Sequence, residues 1–188
     1  MKKGLLIALL IISTTAWSQI KPHIGVNWSQ LSTEPQDFKQ EGRAGMQLGV
    51  GWKFGEDFYF EPAVQWAFIG TKLVHSTEPS NDVESTVNIF RIPVMLGYDF
   101  MDKDAFFNFR LFTGPSAAFV LSTTGPNALT KEDYASTIWG WDFGTGVDIS
   151  FLYLELSYEL GLTPVFANTS VLGDAKNNAF LLTLGANF

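Results

Sequence analysis

Apolar residues recur at every second position through most of this chain. From Phe151 to Gly161, Leu152, Leu154, Leu156, Tyr158 and Leu160 alternate with Tyr153, Glu155, Ser157, Glu159 and Gly161. A period of two sends successive side chains to opposite faces of a strand. This segment therefore carries one apolar face and one small or polar face. The same division separates Met46, Leu48, Val50, Trp52 and Phe54 from Arg43, Gly45, Gln47, Gly49, Gly51 and Lys53. It separates Phe60, Pro62, Val64, Trp66 and Phe68 from Tyr59, Glu61, Ala63, Gln65 and Ala67. Further along, Phe90, Ile92, Val94, Leu96, Tyr98 and Phe100 oppose Arg91, Pro93, Met95, Gly97 and Asp99. Phe107, Phe109, Leu111, Ala117 and Phe119 oppose Asn108, Arg110, Gly114 and Ser116, and Trp139, Trp141, Phe143, Val147 and Ile149 oppose Gly140, Asp142, Gly144, Gly146 and Asp148. A weaker first strand sets Ile24, Val26 and Trp28 against His23, Gly25, Asn27 and Ser29. The C-terminal strand sets Phe180, Leu182, Leu184, Ala186 and Phe188 against Leu181, Thr183, Gly185 and Asn187, with Leu181 the one large apolar residue on the polar side.

The pattern predicts eight strands joined by connections of alternating length. Short turns lie near Gly55–Asp57, Met101–Ala105 and Ser150, and long polar loops near Ser32–Glu41, Lys72–Ser85, Ser122–Ser136 and Pro164–Asn177. That is a meander with tight turns at one end and long loops at the other. Two barrels could use it. A soluble carrier of the lipocalin kind puts the apolar face inside around a greasy ligand, whereas a membrane barrel turns that face to lipid. Eight strands enclose a space barely wide enough for side chains, and it is the glycine-rich face, free of tryptophan, that fits there. Segments of eleven residues exceed the usual soluble strand of about 5–6 and match the about 9–11 tilted residues that cross a bilayer. The prediction is an all-β, eight-stranded antiparallel up-and-down transmembrane β-barrel.

Aromatic placement sharpens the choice. On the apolar face, Trp52, Phe54, Phe58, Phe60, Tyr98, Phe100, Phe107, Phe109 and Phe151 fall near the short turns. Trp28, Trp66, Phe68, Phe90, Phe119, Trp139 and Trp141 fall near the long loops. Two aromatic belts with aliphatic residues between them suit the two membrane–water interfaces. Phe188 is then expected to face lipid at the periplasmic rim, where the last strand closes on the first and leaves no edge.

The first residues, Met1–Ser18, read as a cleaved signal peptide: Lys2 and Lys3, an apolar run from Leu5 to Ile12, and Ala16-x-Ser18 before a cut at Gln19. The apolar run is too short for an anchor helix. The barrel is then one domain, residues 19–188. The formal charge of −7 becomes −9 once both leader lysines are removed, an acidic balance that offers no footprint for nucleic acid. With no cysteine in the chain, disulfides, thiolate metal sites and thiol nucleophiles are excluded.

The segments "HIGVNWSQL", "FRIPVMLGYDF", "FTGPSAAFV" and "GVDISFLYLELSYELGL" occur in an order similar to that of the PorT-like outer-membrane β-barrel family of Gram-negative bacteria. The resemblance spans essentially the whole mature chain and rests on an Ile-Pro in the fourth strand, a Gly-Pro in the fifth and the terminal phenylalanine. It departs from the pattern at Arg91, where an acidic residue is expected before Ile92. It implies an outer-membrane barrel whose Phe188 serves as a signal to the barrel-assembly machinery. A role in secretion does not transfer with the fold.

Candidate chemistry is sparse. His23 and His75 are the only histidines, too far apart for a metal site. Ser76 and Glu78 beside His75 suggest a Ser-His-acid set for a lipid-modifying enzyme, but neighbours in one loop lack fixed geometry. Asp102-Lys103-Asp104 is too short for a calcium loop. The glycines from Gly140 to Gly146 do not match a dinucleotide fingerprint. The informative constellation is inward: Arg43, Lys53, Arg91 and Arg110 share a face with Glu61, Asp99, Asp142, Asp148, Glu155 and Glu159. Across the turn at Ser150, Asp142 and Glu159 are expected to face each other, an unfavourable like pair that facing arginines would relieve. An ion path and an ion-paired plug are both conceivable, and the width of eight strands favours the plug. The expectation is a non-enzymatic, cofactor-free monomer in outer-membrane lipid. Its long loops would serve a structural role or engage an unidentified surface or periplasmic partner. A lipid-modifying enzyme and a soluble carrier are the alternatives.

Overall fold

The computed structural model describes residues 19–32, 38–42, 44–75, 83–101, 106–125, 130–167 and 174–188. The expected leader and Arg43 lie outside them. The strands are β1 (Gln19–Leu31), β2 (Phe38–Gly42), β3 (Ala44–Gly55), β4 (Phe58–His75), β5 (Val83–Asp99), β6 (Phe107–Thr124), β7 (Ile138–Ile149), β8 (Leu152–Gly161) and β9 (Asn177–Ala186). Each pairs antiparallel with its neighbours, β1 pairs with both β3 and β9, and β4 pairs with β5. Because β2 and β3 both lie against β4, they form one stave, and the barrel closes with eight. Closure answers the bilayer's demand that every backbone donor and acceptor be satisfied within the protein.

The two faces sort as the alternation predicts. Ile24, Met46, Leu96, Phe143, Leu156 and Leu184 are at least half exposed, while their inward neighbours Asn27, Gln47, Arg91, Asp142, Tyr153 and Thr183 are buried. Thirty large apolar side chains are exposed against fourteen buried apolar residues among the described positions. Such a surface is stable against lipid and not against water, so the interior is not the greasy cavity of a soluble carrier. At the seam, the Ile20 amide donates to the Phe188 carbonyl and the Phe188 amide to that of Ile20, both at 3.0 Å. The ring of Phe188 stays exposed on the outward face.

The outer end departs from expectation. Segments read as polar loops contain strand: β2, the end of β4 at Lys72–His75, the start of β5 at Val83–Ser85 and the end of β6 at Ser122–Thr124. β4, β5 and β6 reach 18, 17 and 18 residues, whereas β8 and β9 have 10 each. One side of the wall therefore rises well past the length that spans a bilayer. Leu121 interrupts the register there, since Asn88 pairs with Ser122 but Ile89 with Val120. This extra residue lets β6 bend.

The extended wall encloses apolar groups. Ala67, Val87, Ile89, Ala118 and Val120 point inward and pack with Tyr134, Val165, Phe166 and Ala175 from the outer connections. Tyr134 and Phe166 form a β-bridge with ring centroids 5.6 Å apart. The Ala135 amide donates to Val165 O at 2.9 Å, and that of Val165 to Ala175 O at 2.9 Å. Burying this cluster offsets the entropy of ordering the segments around Tyr134, Val165 and Ala175, which lie over the mouth.

Candidate functional site, a layered ionic interior

Below the apolar cap, the interior is filled by charged side chains in three layers. Nearest the short turns, Lys53 on β3 pairs with Asp99 on β5. Beside them, Asp148 on β7 accepts Asn108 Nδ2 at 3.3 Å and Asn187 Nδ2 at 3.1 Å. The middle layer joins five staves, β1, β4, β6, β7 and β8. Lys21 Nζ lies 2.7 Å from Glu61 and 3.3 Å from Glu155, and Arg110 donates to Glu155 at 2.6 Å and to Asp148 at 2.5 Å. The upper layer is centred on Arg91, which reaches Asp142 at 2.5 Å, Glu159, and Gln65 Oε1 at 2.8 Å.

Burial makes these contacts matter. Lys21 and Arg110 are 0% exposed, Asp142 1% and Arg91 4%. A charge at such a position is tolerated only when paired and hydrogen-bonded. Tyrosine rings complete the packing: Lys21 Nζ sits 4.4 Å from the Tyr153 centroid, the Arg110 guanidinium 4.8 Å from the same ring, and Lys53 Nζ 4.5 Å from that of Tyr59. Attraction to the ring faces holds each cation where its carboxylate waits. Small residues make room for them. A Cβ at Gly97 would stand 2.1 Å from the Tyr59 ring, and one at Gly146 2.6 Å from Arg110 Nε.

The upper layer also fixes a tautomer. Arginine has only donors, so Gln65 must turn its oxygen to Arg91 and its amide nitrogen to His23 Nε2, 3.1 Å away. His23 Nε2 is then an acceptor, and Nδ1 donates to the Lys21 carbonyl at 3.1 Å. Both ring nitrogens of His23 are engaged inside the barrel, away from lipid. His75 ends β4, and its side chain, like Ser76 and Glu78, lies outside the described residues.

Nine of the ten inward charged residues predicted from the alternation enter the network: Lys53, Glu61, Arg91, Asp99, Arg110, Asp142, Asp148, Glu155 and Glu159. Arg43 lies outside the described residues. Asp142 and Glu159 do stand opposite each other, and both reach the same nitrogen of Arg91. Arg91, the departure from the resembled pattern, is thus the cation that this acidic pair requires. Lys21 stands outside the predicted network, because the alternation of the first strand is clear only from His23 onward. Extending its alternation back by one step would have placed Lys21 on the inward face.

The fill leaves little space. The cavity beside His23, Arg91, Asp142 and Glu155 measures about 40 Å³, and a single water needs roughly 10–15 Å³ of such volume. Among the described residues no cluster of His, Cys, Asp or Glu is arranged to hold a metal ion.

A closed antiparallel barrel with an apolar outer surface and a filled ionic interior is an outer-membrane β-barrel. The chain belongs to the family described as outer membrane protein beta-barrel domain, whose model matches residues 16–167, and its place is the cell outer membrane. Among solved structures it is similar to the outer membrane protein OprG of Pseudomonas aeruginosa, at 12% identity over 91% of this chain and 95% of that one, with a TM-score of 0.54. It is also similar to Neisserial surface protein A, at 14% identity over 91% and 97% of the two chains, with a TM-score of 0.52. At such identities the likeness is one of fold. No curated protein matches the chain.

Proposed function

We propose that this protein is a closed, non-enzymatic, monomeric barrel of the PorT-like kind, whose work is structural or an interaction with a partner and is done at its outer end. The observation that carries the reading is the double filling of the interior. An apolar cap sits over an ion-paired plug, and among the described residues the cavity beside His23 and Arg91, about 40 Å³, is too small for a continuous column of water. The described outer segments 130–137, 162–167 and 174–176, joined in the cap by backbone bonds, offer an ordered surface to a partner, which lowers the entropy cost of binding.

The purified protein in a planar bilayer should show no steady conductance at neutral pH. A large, stable open current from the wild-type chain would make a channel the correct reading.

Phe188 supports an assembly role within this proposal. Its backbone closes the barrel onto Ile20 while its ring remains exposed at the rim, where assembly machinery could reach it before closure. Deleting Phe188 should lower the yield of folded barrel in cells severalfold, read as the heat-modifiable band in detergent gels. Refolding of the purified chain into detergent should change much less. An undiminished yield in cells would remove the recognition role.

A further inference from the structure

We infer that the vestibule at the short-turn end is a binding site for an alkylammonium group, carried by a lysine-bearing polypeptide or a free polyamine. The vestibule holds about 550 Å³, within the range of roughly 300–1,000 Å³ typical of small-ligand sites. Its floor is the lowest ionic layer, and its polar lining is rich in acceptors. Asp57 and Glu56 stand exposed on the turn above, and Asp99 and Asp148 are buried below.

Two observations go beyond the presence of acids. Asp99 is only 9% exposed and gives one oxygen to Lys53, while its Oδ1 receives no hydrogen bond among the described residues. Asn187 donates its amide to Asp148, and its Oδ1 is likewise buried without a donor. Two enclosed acceptors from opposite sides of the floor are each short of a proton donor.

The chemistry of the missing donor can be narrowed. Two separate single acceptors suit the compact, freely rotating ammonium better than the planar fork of a guanidinium. A bare metal ion is disfavoured, because no cluster of carboxylates at metal-holding distance exists among the described residues. Above the floor, the lining changes to Met101, Phe106 and Phe151. An aliphatic stem could lie along these side chains while its charged head reaches down, as lysine does at apolar surfaces.

The inference is independent of whether the barrel conducts. It is tested by calorimetric titration of the purified full-length barrel in lipid nanodiscs at low ionic strength, with spermidine and with acetyl-Lys-Lys-Lys-amide as probes. Saturable one-to-one binding of either probe is expected, lost when the peptide amines are acetylated. Binding of spermidine alone assigns the site to free polyamines, and binding of the peptide alone to a polypeptide partner. Asp57→Asn, on the exposed rim, should weaken binding about threefold without touching the ionic plug, and Asp99→Asn should weaken it at least tenfold if that variant folds. Lys53→Met, which removes the internal competitor for Asp99, should strengthen it, whereas Lys131→Met, the same charge change at the outer end, should not. Absence of saturable heat with both probes would overturn the site, as would equal strengthening by Lys53→Met and Lys131→Met, the mark of general charge attraction.

Discussion

Arg110→Ala is expected to destabilise the folded barrel by about 3–5 kcal/mol, the usual cost of stripping one partner from a buried ion pair. Arg110 is fully enclosed and is shared by two carboxylates, Asp148 and Glu155. Its loss leaves Asp148 with only the neutral amides of Asn108 and Asn187. Glu155 would keep Lys21, but at 3.3 Å and in competition with Glu61. Tyr153 would also lose one of its two cations. The measurement is urea unfolding in lipid vesicles, followed by tryptophan fluorescence. Lys131→Ala is the control: this residue is exposed at the outer end, and its removal should change stability by no more than about 0.5 kcal/mol. Equal effects from the two variants would mean that the interior charges are solvated and that the plug is not closed.

Both this prediction and the barrel itself were open to reading from the chain, for one reason. Where lipid lies on one side of a strand and a crowded interior on the other, the two faces must differ in kind, and the difference repeats every two residues. Leu152 to Gly161 shows the signal in its clearest form. The cross-strand pair Asp142 and Glu159 followed from the position of the turn at Ser150 alone.

The signal fades where the solvent changes. Lys72–His75, Val83–Ser85 and Ser122–Thr124 are strand, yet no lipid is required on their outer side, so nothing forces alternation and they resemble loops. The apolar cap is hidden for a related reason. Tyr134, Val165, Phe166 and Ala175 come from connections without a period, and only the fold brings them over Val87, Ile89 and Val120. Lys21 is obscured by Pro22, its neighbour in the chain. Its role emerges only when β1 is seen to begin at Gln19, which sets Ile20, Pro22 and Ile24 outward and Lys21 and His23 inward.

A second large effect separates charge from packing. Arg91→Met preserves much of the side-chain volume but leaves Asp142 and Glu159, direct cross-strand partners, facing each other with no cation between them. A loss of about 3–5 kcal/mol is expected, part of it from the like-charge pair. Ser116 still donates to Glu159 at 3.1 Å, but a hydroxyl does not neutralise a carboxylate. Gln65 would lose its donor from Arg91 as well, freeing the amide whose orientation sets the His23 tautomer. If charge is the cause, adding Asp142→Asn and Glu159→Gln to Arg91→Met should restore most of the stability, since the two amides can bond to each other and to the Ser116 hydroxyl, and no ion is left buried. The same two substitutions with Arg91 intact should destabilise, because they strand the guanidinium instead. This reversal of sign is a coupling between contacting residues, and a mutant cycle in lipid vesicles measures it directly. A triple variant no more stable than Arg91→Met alone would show that Arg91 acts by filling space, and the ionic account of the upper layer would fall.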